Sequence, residues 1–269
     1  MNAIPMPFPR ASAWRPGLAP NGTDAARHSE LFASSAEASG AALALAFAQD
    51  QCGADERPWL WVQDKAALRL NGRPYRPGLP EALRHRLIHV AAKTPGDALF
   101  ALEEGLRCRD LAFVLGELAG NPGALSFTAS RRLSLVAEKH GAVLWLVRLD
   151  ARRDLSSARM RWEVGAAPSL PPRWNAQAPG APAWQAELFR ARGHPPGEWL
   201  LGLCDPFPSP LEGRGYEGLA LQRLAVVGEG CSALDRSHTP LQAPLAGPST
   251  SSGPASFANL SPPGERESA

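Results

Sequence analysis

Short apolar runs alternate with helical patterns along the middle of the chain. Runs of strand length occupy residues 29–32, 58–62, 87–92, 111–115 and 142–147. Helical spacing predicts helices over about 40–51, 81–86, 95–106 and 128–140, and Gly141 is expected to end the last of these. Continuous apolar strands separated by helices are typical of a mainly parallel sheet covered on both faces. We therefore expect an α/β core.

The pattern changes after Asp150. Polar and apolar residues alternate strictly over 159–164 and 184–188, and residues 198–203 form a third extended segment. Alternation with a period of two indicates half-exposed antiparallel strands. The parallel core is thus predicted to carry an antiparallel edge.

The two ends of the chain lack such patterns. Residues 1–26 are rich in Pro, Ala and Asn, and residues 204–269 are rich in Pro, Ser, Gly and Ala. The second composition buries too little apolar surface to offset the entropy of ordering. We expect a flexible arm over 1–26, a core over 27–203 and a largely disordered tail over 204–269. Within the tail, residues 219–227 are apolar enough either to close the core as a strand or helix, or to bind a partner.

Composition narrows the class of protein only slightly. The 269 residues carry a formal net charge of +2, and the four Cys show no CxxC spacing, which fits a reducing cytosol. The longest apolar run, Ala41–Ala48, is far shorter than the roughly 20 residues that cross a bilayer. The start of the chain shows no signal-peptide pattern. We expect a soluble, cytoplasmic protein with no membrane partner.

The loop between the first strand and the first helix occupies the place of a phosphate-binding loop. Such a loop follows the pattern GxxxxGK[ST], in which the Lys reaches the phosphates and the hydroxyl binds Mg²⁺. This chain has Ser35 at the first glycine position and closes the loop with Ser39, Gly40, Ala41 and Ala42. Without the Lys and the hydroxyl, the main electrostatic stabilisation of phosphoryl transfer is missing. We predict either a degenerate nucleotide loop or an ordinary strand–turn–helix, with no bound cofactor, ATP included.

The sequence also gives only a weak signal for acidic residues that would bind a metal or activate water. Gln63 and Asp64 follow the second strand, and Glu117 follows the run 111–115, where a P-loop enzyme has its metal-binding carboxylate. The simpler explanation of Glu117 is a strand-end residue at the carboxyl edge of the sheet. The His, Cys and Ser residues show no metal-ligand or nucleophile spacing. We predict no metal site and no catalytic residue.

Positive charge is concentrated in one segment. Residues 128–203 hold 11 basic and 6 acidic side chains, whereas residues 204–269 hold 4 basic and 7 acidic ones. Solvated Arg side chains on an exposed face are the simpler explanation. The functional one is contact with DNA or an acidic partner, because guanidinium groups bind phosphate and carboxylate bidentately. The candidates are Arg131, Arg132, Arg152, Arg153, Arg159 and Arg161.

Several stretches, taken in order, resemble one family. They are PWLWVQ with GRPYRPGL, LIHVAAKTPGDALFALEEGLRCRDLAFVLGEL, TASRRLSLVAEKHGAVLWLVR, SSARMRWEVGAAPS and WQAELFRARGHPPGEWLL. Over residues 28–203 the chain is similar to the ImuA family, bacterial RecA-like proteins of damage-induced mutagenesis. The resemblance implies a RecA-like, P-loop-type core, which agrees with a nucleotide loop that is in place but has lost its Lys and hydroxyl.

The resemblance implies partners rather than a reaction. It implies a non-catalytic accessory protein of SOS-induced translesion DNA synthesis, in the cytoplasm at the nucleoid. The expected partners are an ImuB-type Y-family polymerase-like protein and an error-prone replicative-type polymerase, with RecA as a further candidate and DNA as a candidate ligand.

Two alternatives stay open. ImuA-like proteins are also similar to the SulA group, which bind FtsZ, so the chain could be a cell-division inhibitor. The other alternative is a DNA-dependent ATPase of the RecA type, which the alanine at the Lys position opposes.

Overall fold

Nine strands in the described part of the chain form one mixed sheet. The computed structural model describes residues 26–169, 177–178, 180, 182–192, 196–204 and 223–226. All described elements lie in the first of two units of the chain, Met1–Ala233, and the second unit, Leu234–Ala269, lies outside the described residues. The strands are β1 (His28–Ala33), β2 (Trp59–Asp64), β3 (Leu87–Ala92), β4 (Val114–Ala119), β5 (Leu144–Leu149), β6 (Met160–Ala167), β7 (Ala183–Ala191), β8 (Gly197–Cys204) and β9 (Arg223–Val226).

The strand order is β3-β2-β4-β5-β1-β6-β7-β8-β9. The first six strands in this order pair in parallel, and β7, β8 and β9 continue the sheet by antiparallel pairing. The α/β class, the mainly parallel sheet and its antiparallel edge are thus confirmed. β6 forms the boundary, because it is parallel to β1 on one side and antiparallel to β7 on the other.

Helices cover both faces of the sheet. They are α1 (Ser39–Cys52), α2 (Lys65–Asn71), α3 (Glu81–Arg84), α4 (Pro95–Arg107) and α5 (Phe127–His140), with a 3₁₀ turn at Arg76–Gly78. The core on one face combines α1 with Leu31, Trp145 and Trp162, and includes Ala67 of α2. The core on the other face combines α4 and α5 with side chains such as Leu60.

Local sequence signals set the helix ends. The hydroxyl of Thr94 accepts a hydrogen bond from the backbone N–H of Asp97, and the carboxylate of Asp97 accepts one from the N–H of Thr94, both at 3.1 Å. This capping box starts α4 with Pro95 in its first turn. Gly141 ends α5 in the left-handed region at φ 67°, which a glycine adopts without steric cost.

Several strand boundaries differ from those predicted. β2 runs from Trp59 to Asp64, so Gln63 and Asp64 end the strand, and the prediction that they follow it was wrong. β4 begins at Val114 rather than residue 111 and continues to Ala119, because its ladder with β5 runs from Val114↔Leu144 to Ala119↔Leu149. Glu117 therefore lies inside a strand and not after one. β5 is shifted in the same way, to Leu144–Leu149. The helix α2 was not predicted; it starts directly after β2, where the carboxylate of Asp64 accepts a hydrogen bond from the N–H of Ala67.

The connection from β5 to the parallel strand β6 contains no helix. Residues 151–158 have no regular secondary structure, although crossovers between parallel strands usually include a helix. Serine hydroxyls fasten this crossover to α5: Ser130 Oγ lies 2.8 Å from Ser156 Oγ, and Ser134 Oγ lies 2.6 Å from Ser157 Oγ. The crossover thereby places its own polar side chains against the sheet.

Part of the apolar segment 219–227 closes the sheet as a strand, because Arg223–Val226 pairs with β8. The predicted flexible arm, up to residue 25, and the rest of the predicted disordered tail lie outside the described residues. Within the residues described, no helix has both the length and the apolar character needed to cross a membrane.

Candidate functional site

The loop between β1 and α1 lies at the carboxyl edge of the sheet. A Cβ added at Gly40 would lie only 2.6 Å from the Cβ of Ala33 and 3.0 Å from Cγ1 of Val147. Glycine therefore lets the start of α1 approach the ends of β1 and β5 closely. Of the predicted loop residues, Ser39 and Gly40 are buried, whereas Ala42 is exposed and Ser35 and Ala41 are half-buried.

Groups of the chain itself occupy the polar atoms of this loop. The N–H of Ser35 donates to Oδ1 of Asp150 at 2.9 Å, and the N–H of Ala36 donates to Oγ of Ser34 at 3.1 Å. Both carboxylate oxygens of Glu37 accept from the N–H of Ala166 on β6, at 3.1 Å each. A phosphate at this loop would compete with these bonds and meet two carboxylates.

Asp150 is held in place by its backbone. It follows β5, its N–H donates to the carbonyl of Ala33, and its φ of 49° is an uncommon value for a residue other than glycine. The hydrogen bonds from Ser35 hold the pKa of Asp150 below its ordinary value, so the carboxylate is charged at neutral pH. The charge therefore remains beside the loop at the pH of the cell.

The loop also lacks the groups that would offset this negative charge. Ala41 and Ala42 stand where a phosphate-binding Lys and a Mg²⁺-binding hydroxyl would be. The one hydroxyl near the start of the helix, that of Ser39, is buried and makes no hydrogen bond within the described residues. The geometry supports a turn that connects strand and helix rather than a site that attracts an anion.

Glu117 is the centre of a buried hydrogen-bond cluster on β4. Its carboxylate accepts from Gln63 Nε2 at 2.7 Å, from Asn71 Nδ2 at 2.5 Å and from Trp61 Nε1 at 3.3 Å. Burial raises the pKa of Glu117, and the three donors oppose that rise. The oxygen of Gln63 in turn lies 2.8 Å from Nε2 of His89.

The three acid or amide candidates do not assemble a metal site. Gln63 and Glu117 bond each other, while Asp64 caps α2. The placement of Glu117 at a strand end was wrong, because β4 continues beyond it. Over the described ranges, no group of three or more His, Cys, Asp or Glu is arranged to hold a metal ion. Sequence reasoning missed this cluster because Asn71 comes from the unpredicted helix α2.

A second buried polar cluster joins β1, β5 and β6. Glu30 is fully buried, and its carboxylate lies 2.8 Å from Nε of Arg161 and 3.9 Å from Nη1 of Arg148. Ser156 of the crossover donates to Glu30 at 2.7 Å. Arg161 is only 3% exposed, so it belongs to the interior and is not available to DNA or a partner surface.

Asp154 on the crossover completes this cluster. It lies 3.4 Å from Nη2 of Arg148 and 3.6 Å from Nη2 of Arg161. Although partial burial opposes it, the hydrogen bond from Asn121 and the charge of Arg148 hold the pKa of Asp154 below its ordinary value. The two guanidinium groups also lie over the ring of Phe32, 4.9 and 5.6 Å from its centroid. Two cations and two carboxylates thus balance inside the fold.

Most of the other candidate Arg residues are paired within the chain. Arg153 contacts Glu163 at 3.0 Å and Glu187 at 2.7 Å, and its guanidinium carbon lies 4.0 Å from the ring centroid of Phe189. Arg159 contacts Glu138 at 3.0 Å, and Arg132 contacts Glu103 at 2.5 Å. The side chains of Arg131 and Arg152 make no such contact with any described residue. Four of the six candidate Arg residues, Arg132, Arg153, Arg159 and Arg161, are thus paired with carboxylates of the chain.

Comparison with known proteins gives one group of relatives. No protein-family model matches the chain. The chain is similar to Protein ImuA of Caulobacter vibrioides, in strain NA1000 / CB15N and in strain ATCC 19089 / CIP 103742 / CB 15. With each it is 33% identical over 157 residues, which are 53% of this chain and 59% of the relative. The chain thus spans about three fifths of the length of these curated relatives.

Proposed function

We propose that this chain, as a member of the ImuA family, is a non-catalytic accessory protein of damage-induced mutagenesis. In this proposal it has a RecA-like core whose nucleotide loop no longer binds ATP. It acts by holding an ImuB-type polymerase-like protein and an error-prone polymerase together during synthesis past DNA damage. The similarity to ImuA supports the process and the partners in this proposal. The geometry of the loop supports the absence of catalysis.

The position of the loop supports the RecA-like part of the proposal. In α/β sheets, ligands bind outside the carboxyl ends of the strands, and phosphates lie at the turn between a strand and a helix N-terminus. The β1–α1 loop has that position, with β5 on one side of β1 and β6 on the other. Gly40 also stands at the start of the helix, where the P-loop pattern has its second glycine.

The hydrogen bond from the N–H of Ser35 to Asp150 carries the non-catalytic part. In a working loop, backbone amides such as this one point at phosphate oxygens. Here the amide is taken by a charged carboxylate of the same chain, and Glu37 adds a second negative charge nearby. With alanines at 41 and 42, nothing in the loop compensates for either charge.

A titration with fluorescent ATP, with and without Mg²⁺, tests this part. We expect no saturable binding and no turnover, both with the protein alone and with single-stranded DNA added. A catalytically competent P-loop ATPase serves as the positive control for the assay. Mg²⁺-dependent saturable binding with turnover would support the DNA-dependent ATPase instead.

An affinity purification from cells with damaged DNA tests the partner assignment. We expect the tagged chain to recover the ImuB-type protein and the error-prone polymerase, identified by mass spectrometry. The variant Tyr75→Asp, at an exposed side chain, is a control for nonspecific adhesion through exposed apolar residues. Recovery of FtsZ in place of both partners would contradict the accessory function and favour a division inhibitor.

A further inference from the structure

The outer side of α5 carries apolar residues that the core does not use. Phe127 is 47% exposed and Leu135 is 53% exposed. Together with Arg131 and Lys139 they follow one another at steps of four residues, so the four side chains form one stripe along the helix. Apolar and basic side chains thus alternate along this stripe.

The neighbouring helix α4 extends this stripe into a surface. Arg132 Nε of α5 lies 2.5 Å from Glu103 Oε2 of α4, which holds the helices side by side. Phe100 precedes Glu103 by three residues and therefore lies one turn away on the same side of α4. Its ring is 65% exposed. We call Phe100 and the stripe of Phe127, Arg131, Leu135 and Lys139 the α4–α5 surface.

Acidic side chains near this surface already have partners inside the chain. The side chains of Arg131 and Lys139, in contrast, make no hydrogen bond or ion pair with the residues that the structure describes. Two uncompensated positive charges thus lie one turn before and one turn after Leu135. Among the acids, Asp97 caps α4 and Glu103 pairs with both Arg107 and Arg132. Glu104 also pairs with Arg107, and Glu138 pairs with Arg159.

We propose that the α4–α5 surface binds an acidic, amphipathic segment of the polymerase-like partner. This inference rests on the proposed function, which it deepens by naming the surface. The apolar side of the segment packs on Leu135 and Phe100, and its carboxylates pair with Arg131 and Lys139. Aromatic residues and Arg are enriched at the centres of protein interfaces, and complementary charge fixes the register of the partners.

A protein segment fits this surface better than a nucleic acid does. A phosphate backbone is bound by a run of cations, whereas this surface has only Arg131 and Lys139, which Leu135 separates. Bases could stack only on Phe100 and Phe127, because Leu135, which lies between the two cations, is aliphatic. These five residues therefore complement a protein segment that carries carboxylates and an apolar side chain.

The surface continues at the end of α5 into a cleft of about 390 Å³ at the amino ends of β2, β4 and β5. Lys139 belongs to both the stripe and the cleft. Arg57 and Arg109 line the cleft as well, and Arg57 is neutralised by Asp55 at 2.6 Å. An acidic segment that follows α5 therefore meets further positive charge where the helix ends.

Equilibrium binding between the full chain and the purified ImuB-type protein tests the inference, at low and at high salt. We expect the double variant F100S/L135S to weaken binding by about tenfold or more, because exposed apolar anchors carry much of the energy of an interface. R131E should weaken binding at low salt and reduce its salt dependence.

The matched control is Tyr75→Ser, because Tyr75 is 75% exposed but follows α2, which packs on the opposite face of the sheet. Its affinity should stay within about twofold of that of the wild type. All four altered side chains are exposed, so unfolding curves of the variants should overlay on that of the wild type.

Each contrary result has a distinct meaning. Equal affinity of F100S/L135S and wild type would overturn this surface and leave the proposed function intact. No binding by the wild type would overturn both. If the wild type self-associates and F100S/L135S abolishes this, the surface belongs to a second copy and the inference is overturned. If R131E abolishes DNA binding and leaves partner affinity unchanged, the surface belongs to DNA and the inference is likewise overturned.

Discussion

The β1–α1 loop and the α4–α5 surface differ in where their polar groups find partners. In the loop, the amide of Ser35 is bonded to Asp150, and Glu37 is bonded to β6. On the surface, the side chains of Arg131 and Lys139 have no partner among the described residues. A polar group that is satisfied within the chain gains little from a ligand, whereas an unpaired one retains its capacity to bind. The comparison is the basis of our proposal that a partner binds on the helices and that no nucleotide binds at the loop.

The largest expected effect comes from the buried cluster of Glu30, Arg148 and Arg161. Glu30→Ala leaves two buried guanidinium groups without their carboxylate, which should lower the free energy of unfolding by about 3–5 kcal/mol. Urea denaturation followed by circular dichroism measures this change. Arg152→Ala, at an exposed and unpaired side chain, is the matched control and should change stability by less than about 0.5 kcal/mol.

A double variant separates charge pairing from simple loss of packing. E30M/R161M removes both members of the closest ion pair and keeps apolar volume, so it should be less destabilising than Glu30→Ala. Equal destabilisation by the two variants would show that the ion pair is not the source of the effect.

A smaller loss is expected where α1 approaches β1. Gly40→Ala places a Cβ 2.6 Å from that of Ala33, so the helix must shift, at a cost of about 1–3 kcal/mol. Thermal unfolding measures the loss. Gly123→Ala serves as the control, because a Cβ there meets no atom within 4 Å. Similar melting curves for both variants would contradict the close approach.

The pH dependence of stability should report on Glu117. Burial raises its pKa in the folded chain above the ordinary 4.5, so the folded state binds this proton more tightly than the unfolded state does. The stability that protonation provides is complete below pH 4.5 and is lost as pH rises through the raised pKa. Glu117→Gln removes this dependence.

We therefore expect Glu117→Gln to gain stability relative to the wild type as pH increases from 4.5, measured by urea denaturation at a series of pH values. A difference between the two proteins that does not change with pH would show that burial does not perturb this carboxyl group. Asp110→Asn, at an exposed carboxylate, is the control.

The smallest effect concerns the reactivity of two thiols. Cys108 is exposed and free, whereas burial raises the pKa of Cys52 to about 12, which leaves it almost no thiolate at neutral pH. Alkylation of the native protein, read by mass spectrometry of peptides, should modify Cys108 before Cys52. Equal rates would contradict the burial of Cys52, whose thiol donates to the carbonyl of Ala112 just before β4.

The order of strands and helices was predictable because it depends on local periodicity. Thr94 and Gly141 mark helix ends through their own side-chain and backbone chemistry, and the structure keeps both. The limits of β4 were not predictable in this way, because Gly116 and Glu117 interrupt the apolar run while the hydrogen-bond ladder with β5 continues.

The site was less predictable than the fold. Ala41 and Ala42 alone showed that the loop lacks a Lys and a hydroxyl, but the bond from Ser35 to Asp150 joins residues 115 positions apart. The burial of Arg161 likewise depends on its register beside Glu30 in neighbouring strands. A charge pattern in sequence does not reveal which cations are compensated by distant carboxylates.

The central claim is that the chain works by binding a partner on the α4–α5 surface and not by binding a nucleotide at the β1–α1 loop. The most direct measurement is the damage-induced mutation frequency of cells whose only copy carries either Ala42→Glu or F100S/L135S. Ala42 is exposed, and a carboxylate there would block any phosphate at the loop. We predict wild-type mutation frequency with Ala42→Glu and loss of induced mutation with F100S/L135S. Loss with Ala42→Glu and normal mutation with F100S/L135S would contradict the account.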